Sequence, residues 1–191
     1  MPAEWTDLSA PCWWRNASLT PLENGRWRAE DTSDTAYQSL LAPVCRNIGG
    51  QGVVFTVRVE PVEGQTGACA VRLFVQDQKR QRDSYWGVAL EPATGASEIQ
   101  VNAYGAFGEV IPETGGYRVS VLAIIGPEEI VNVSAQIVPA HGANNGSPGP
   151  YWKGAVIVSE PSYELLSLAD AKLRAIAFKL GRNIDATELA P

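Results

Sequence analysis

The feature that most constrains this chain is an alternation of apolar and polar side chains that recurs, segment after segment, with the two-residue period of a β-strand. In residues 53–60 the odd positions Val53, Phe55, Val57 and Val59 are apolar, which turns one face inward. Pro61 and the run Glu63-Gly64-Gln65-Thr66-Gly67 end that strand. Residues 70–77 return with Val71, Leu73 and Val75 on one side, and the two segments read as a hairpin with a long loop. Residues 85–91 and 98–104 form a second pair around the turn at 92–95. Strands at 116–124, 131–138 and 154–158 follow, the last after a glycine- and proline-rich stretch at 140–150. Seven or eight short strands with no helices between them predict an all-β, antiparallel sandwich of two sheets rather than βαβ units.

A 3.6-residue period occurs in one place. Between residues 163 and 180, Leu165, Leu168, Ala169, Leu173, Ile176, Ala177 and Leu180 fall at three- and four-residue steps. Pro161 precedes this segment, Ser162 can cap it, Ser167 and Asp170 offer an internal capping pair, and Gly181 can stop it. The expected organisation is a sandwich over residues 1–160 and a C-terminal helix with its tail over 161–191. An apolar stripe must be covered, by the sandwich or by another chain, so Leu165, Leu168, Leu173, Ile176 and Leu180 are candidate assembly residues.

Composition narrows the partners. Hydrophobic residues make up 45% of the 191 and charged residues 19%, enough for a core and too little charge for a disordered chain. Fifteen basic against twenty-one acidic residues leave a net charge of −6, without the basic footprint that a nucleic-acid partner requires. The longest apolar run, residues 119–126, is too short to insert in a membrane. The first fifteen residues carry no basic-then-apolar secretory pattern. Cys12, Cys45 and Cys69 have neither zinc-site spacing nor an even count. They read as buried or half-buried thiols of a protein made in a reducing cytoplasm.

Catalytic grammar is sparse. His141, the single histidine, lies in a loop-like run with no motif supplying a nucleophile or an orienting carboxylate, and it is expected to be an exposed loop residue. The glycine-rich runs at 49–52 and 105–108 lack the Lys and Ser/Thr of a phosphate loop. A polysaccharide-degrading enzyme would need two carboxylates flanking a sugar bond; Glu91, Glu98 and Glu109 lie near predicted strand ends, where solvation explains them equally well. No cofactor is implied. Asp31 and Asp34 could give oxygens to a structural calcium ion, although a turn held by side-chain-to-backbone hydrogen bonds accounts for them too.

The aromatic residues say more. Six tryptophans are present, several beside turns or polar residues: Trp5, Trp13-Trp14, Trp27, Tyr85-Trp86, Tyr104 and Tyr151-Trp152. A sugar ring presents an apolar C–H face and a rim of hydroxyls, so its site pairs a flat aromatic surface with amides, carboxylates or arginines. Tyr85 and Trp86 follow Arg80-Gln81-Arg82-Asp83, and Tyr104 follows Gln100 and Asn102. Tyr85, Trp86, Tyr104, Tyr151 and Trp152 are the candidate carbohydrate-binding residues, with core packing the competing explanation for each.

Three segments also carry a resemblance. Tyr37-Gln38-Ser39-Leu40-Leu41 leads to the strand Val54-Phe55-Thr56-Val57-Arg58-Val59-Glu60, Gly115-Gly116-Tyr117-Arg118-Val119-Ser120-Val121 follows, and Tyr151-Trp152-Lys153-Gly154-Ala155-Val156-Ile157-Val158 closes. In that order they resemble the carbohydrate-binding-module-like jelly rolls of tailed-bacteriophage structural proteins: tail fibres, head fibres and decoration proteins. The closing motif departs from the pattern in carrying Lys153 between Trp152 and Gly154. The resemblance, over residues 5–159, implies a non-enzymatic virion structural protein with a jelly-roll module. Its partners would be other virion proteins, a host-surface glycan and further copies of itself. The terminal helix and the Trp5–Trp14 arm would serve assembly. A stand-alone bacterial carbohydrate-binding protein is the alternative.

Overall fold

The computed structural model describes residues 3–33, 36–65, 67–100, 106–141 and 153–180. Among them the chain forms twelve strands and one α-helix: β1 (Trp14–Arg15), β2 (Ser18–Pro21), β3 (Trp27–Asp31), β4 (Leu40–Ile48), β5 (Gln51–Glu60), β6 (Ala68–Asp77), β7 (Arg82–Leu90), β8 (Ser97–Gln100), β9 (Ala106–Glu113), β10 (Gly116–Ile124), β11 (Val131–His141), β12 (Gly154–Ser167) and α1 (Leu168–Leu180). They build two six-stranded antiparallel sheets, ordered β1-β4-β11-β6-β7-β8 (sheet A) and β2-β3-β12-β5-β10-β9 (sheet B). The two-sheet antiparallel sandwich expected from the alternating pattern is what forms, and it agrees with the jelly roll that the resemblance implies.

The alternation identifies the inward face correctly. Val53, Phe55, Val57 and Val59 of β5 meet Val71, Leu73 and Val75 of β6, Val133, Ala135 and Ile137 of β11, and Val119 and Val121 of β10 in one continuous core. It does not identify the neighbour. β5 lies in sheet B and β6 in sheet A, so the expected hairpin is a crossover. The connection through residues 61–67 is long enough to bridge the ~10 Å between packed sheets. The pair β7–β8 around residues 92–95 does form.

The N-terminal arm belongs to this core. Trp5, on a 3-10 turn (Ala3–Thr6), packs on Trp13 at 4.9 Å and on Tyr163 at 4.6 Å between ring centroids. The Trp13 indole N–H donates to the Trp5 carbonyl at 3.1 Å. Both tryptophans are buried, so most of the arm closes the sandwich rather than reaching another chain.

The helix begins later than the spacing suggests. β12 continues to Ser167, held to β5 through Leu165↔Val53 and Ser167↔Gln51, so Leu165 is a strand residue. Ser167 caps α1: its Oγ accepts the Asp170 N–H at 3.1 Å and bonds the Asp170 carboxylate at 2.6 Å. The helix lies across the outer face of sheet B and buries Ala171, Ala175 and Phe178 against Val54 and Leu122. Gly52 permits that approach, because a Cβ there would sit 2.3 Å from the Ala171 methyl.

Candidate functional site

The two outer faces of the sandwich differ in chemistry. On sheet B, beside α1, Arg26, Arg58 and Arg118 interlock with Glu60, Glu113 and Glu160 through ion pairs of 2.7–3.1 Å. Hydrogen bonds from Arg118 and then Arg58 hold the Glu113 carboxyl below the usual carboxylate range. Three positive and three negative charges satisfy one another there, leaving an ordinary polar surface.

Sheet A is different. The outward residues of β6, β7 and β11 place Arg72 and Phe74, Tyr85 and Gly87, and Gln136 side by side: Gln136↔Arg72↔Gly87 in one row, Ser134↔Phe74↔Tyr85 in the next. An outward arginine and glutamine would ordinarily be solvated. Here Arg72 and Gln136 are each only 4% exposed. Part of their cover is the segment 36–39, which brings Tyr37 onto the sheet. The Tyr37 hydroxyl meets Gln136 Nε2, and Ser39 Oγ accepts from the same amide at 3.3 Å.

Buried groups pin that segment. The Asp31 carboxylate accepts the N–H groups of Ser33 and Gln38, both at 2.9 Å, and Asn16 Oδ1 accepts the Ser39 N–H at 2.7 Å. Asp31 is therefore the base of a hydrogen-bonded turn, the simpler of its two expected roles. Asp34 lies outside the described residues, and among those described no cluster of three or more metal-ligating side chains occurs.

Arg72 is packed by its neighbours from three directions. Its guanidinium carbon stands 5.6 Å from the Tyr85 ring centroid, a cation–π arrangement. Tyr85 is itself stacked on Phe74 with centroids 4.9 Å apart and planes 24° from parallel. Arg72 Nη2 lies 2.8 Å from Nδ1 of His141. Beneath, Gly87 leaves room: a Cβ there would come 2.5 Å from Arg72 Cγ and 2.3 Å from the Val71 carbonyl. Burial pulls the Arg72 pKa below the ordinary guanidinium value. Burial, and secondarily the Arg72 charge, lowers His141 to about 4, so the imidazole is neutral at pH 7 and accepts the arginine's hydrogen bond. His141 is thus no exposed loop residue but the half-buried end of β11.

One hydrogen-bonding group beneath this face is left unsatisfied. The Gln136 Oε1 atom is buried without a hydrogen-bond partner. Turning the amide over would leave its NH2 end in the same state. A buried amide end left unmade costs about 1–3 kcal/mol.

Of the expected aromatic platforms, Tyr85 alone is placed on this face. Trp86 is the next residue along a strand, so it points the opposite way; it is 1% exposed, in the core, and stacks on no ligand. Tyr104, Tyr151 and Trp152 lie outside the described residues. Phe74, Arg72, Tyr37 and Gln136 were not singled out by sequence reasoning. The available signal was an aromatic at an outward position on each of two neighbouring strands, Phe74 and Tyr85. Of the candidate assembly residues, Leu165, Leu173 and Ile176 are exposed and Leu168 is half-buried. α1 buries the stripe Ala171–Ala175–Phe178 instead. The thiols are free, and burial pushes Cys45 up to about 11 and Cys69 up to about 12, far from nucleophilic use.

No protein-family model matches the chain, and no curated protein matches it. Solved structures do. The CBM22-1–GH10 modules of Clostridium thermocellum endo-1,4-β-D-xylanase 10B, complexed with xylohexaose, align at a TM-score of 0.50 and 11% identity over 84% of this chain and 27% of that one. This chain therefore spans about a quarter of that protein's length. The CBM22-2 xylan-binding domain of Paenibacillus barcinonensis Xyn10C aligns at 0.48 and 11% identity, covering 85% and 96% of the two chains. The mannan-recognising carbohydrate-binding module TmCBM27 aligns at 0.38 and 13%, covering 83% and 91%. At such identities the likeness is one of fold.

Proposed function

We propose that this chain is a non-catalytic carbohydrate-binding protein whose site is the outer face of sheet A, centred on Arg72. The observation that carries the reading is the pairing of two buried polar side chains, Arg72 and Gln136, with the stacked rings of Phe74 and Tyr85. The aromatic pair offers an apolar surface to sugar C–H groups. The edge of the Arg72 guanidinium that remains exposed donates to ring or hydroxyl oxygens, and Tyr37, 38% exposed over the Gln136 amide, adds a third ring with a polar tip. These groups hold and orient; a glycosidase needs a carboxylic acid and a carboxylate across the scissile bond, and the centre of this cluster is built from other groups. The structural neighbours, named as carbohydrate-binding modules, support the same function.

The test is retention on a panel of immobilised polysaccharides, xylan and mannan among them. The wild-type chain should be retarded by at least one, and Tyr85→Ala should abolish that retardation. Failure of every polysaccharide to retard it, or equal retardation of the variant, would contradict the reading.

As to setting, we place the module on a tailed-phage particle, as a fibre, spike or decoration subunit made in the bacterial cytoplasm and assembled through α1. The sequence resemblance supports this, whereas a free-standing bacterial binder accommodates the same site. Recovery of the chain among the structural proteins of purified particles supports the first, and its absence from them the second.

A further inference from the structure

We infer that the face centred on Arg72 takes an extended, linear oligosaccharide laid across the strands, and that Trp14 is a distal stacking residue that makes binding depend on chain length. This rests on the carbohydrate-binding reading and specifies the ligand class. Trp14 lies on the edge strand β1, paired with Leu41; Leu41 is opposite Gln136, and Gln136 is opposite Arg72. Directly paired residues share a face, so Trp14, Leu41, Gln136 and Arg72 form one row on the outer side of sheet A. The adjoining residues agree: Trp13 and Leu40, one position away on each strand, are both buried on the inner side.

A lone exposed aromatic is unremarkable on a protein surface. Trp14 is 59% exposed, and its position in the row gives it significance. Three strand steps separate it from Arg72, about 14 Å at the usual inter-strand spacing. The ground between consists of half-buried Leu41 and of Tyr37, 38% exposed, whose hydroxyl covers the Gln136 amide, an apolar step and then an aromatic one with a hydrogen-bonding tip. A sugar unit in a linear chain advances by roughly one strand spacing. One ring on the Phe74–Tyr85 side and one on Trp14 would therefore be separated by several units, and a mono- or disaccharide held at Arg72 would not reach the tryptophan.

The experiment is calorimetric titration of the full chain with di- and hexasaccharides of β-1,4-linked xylose, mannose and glucose, comparing wild type with Trp14→Ala and Trp14→Phe. The expected result is a wild-type hexasaccharide affinity that falls about tenfold in Trp14→Ala and is largely kept in Trp14→Phe, as one aromatic stack supplies, while disaccharide binding is the same in all three. Equal hexasaccharide affinity in wild type and Trp14→Ala would overturn the inference and leave the Arg72 site standing. Equal loss for short and long sugars would also overturn it. Absence of binding by every sugar would overturn both this and the proposed function.

Discussion

Replacing Arg72 with methionine separates a binding role from a structural one. The guanidinium is almost wholly buried, and its lowered pKa reflects the desolvation it suffers there. Methionine fills much of the same volume without charge. The losses include the hydrogen bond to His141, about 1.5–3 kcal/mol for a charged donor, and the contact with Tyr85, about 0.5–1 kcal/mol. Against these stands relief from burying a charge, several kcal/mol. The two sides nearly cancel, so the melting temperature should hold or rise by a few degrees, at about 2–4 °C per kcal/mol for a chain of this size. Binding should suffer heavily. Even one charge-assisted hydrogen bond to a sugar hydroxyl is worth about 1.5–3 kcal/mol, a loss of roughly 10- to 100-fold in affinity. Differential scanning calorimetry and titration with the best oligosaccharide measure both quantities on one sample. A melting temperature lowered by more than about 10 °C, with affinity unchanged in the molecules still folded, would refute the reasoning and make Arg72 a structural element.

Three more outcomes follow from the same geometry. Gly87→Ala drives a methyl into Arg72 Cγ and the Val71 carbonyl; it should cost about 1–3 kcal/mol by overpacking and weaken sugar binding as Arg72 shifts, read by thermal melting and titration. Between the ordinary histidine pKa of 6.5 and the folded value of about 4, the unfolded chain takes up a proton at His141 that the folded chain refuses. The stability this residue confers is complete above pH 6.5 and is lost as pH falls toward 4; His141→Gln should flatten that part of the wild-type stability-versus-pH curve in urea titrations. Phe178→Ala empties the small cluster under α1, at about 3 kcal/mol, and should speed amide exchange in the helix while leaving sugar affinity at sheet A intact.

How far the sequence reveals this molecule depends on the length scale of each interaction. Alternation at Val53–Val59 and Val71–Val75 marks inward faces because period two is local. It is silent on whether β5 and β6 share a sheet, because both arrangements bury the same residues. Edge strands such as β1 and β2, two and four residues long, carry too few positions for a period to register. Helical spacing starts α1 too early, because Leu165 and Leu168 satisfy it while β12 still gains sheet hydrogen bonds as far as Ser167. Tyr85 is legible as a surface aromatic; Trp86 beside it is not, because alternation sends the two to opposite faces. Arg72 was illegible. Within Val71-Arg72-Leu73 it is an ordinary outward charge, and its burial arises from contacts with His141, 69 positions later, and with Tyr85 across the strand.

The most direct test of the central claim is a backbone amide NMR titration of the folded chain with a linear β-1,4-linked hexasaccharide that it retains. The shifts should concentrate on the outer face of sheet A, on β6, β7 and β11 around Arg72, Phe74, Tyr85 and Gln136, and extend through β4 to Trp14 on β1. Shifts concentrated instead on the Arg58, Glu113 and Glu160 face of sheet B, with sheet A unmoved, would contradict it.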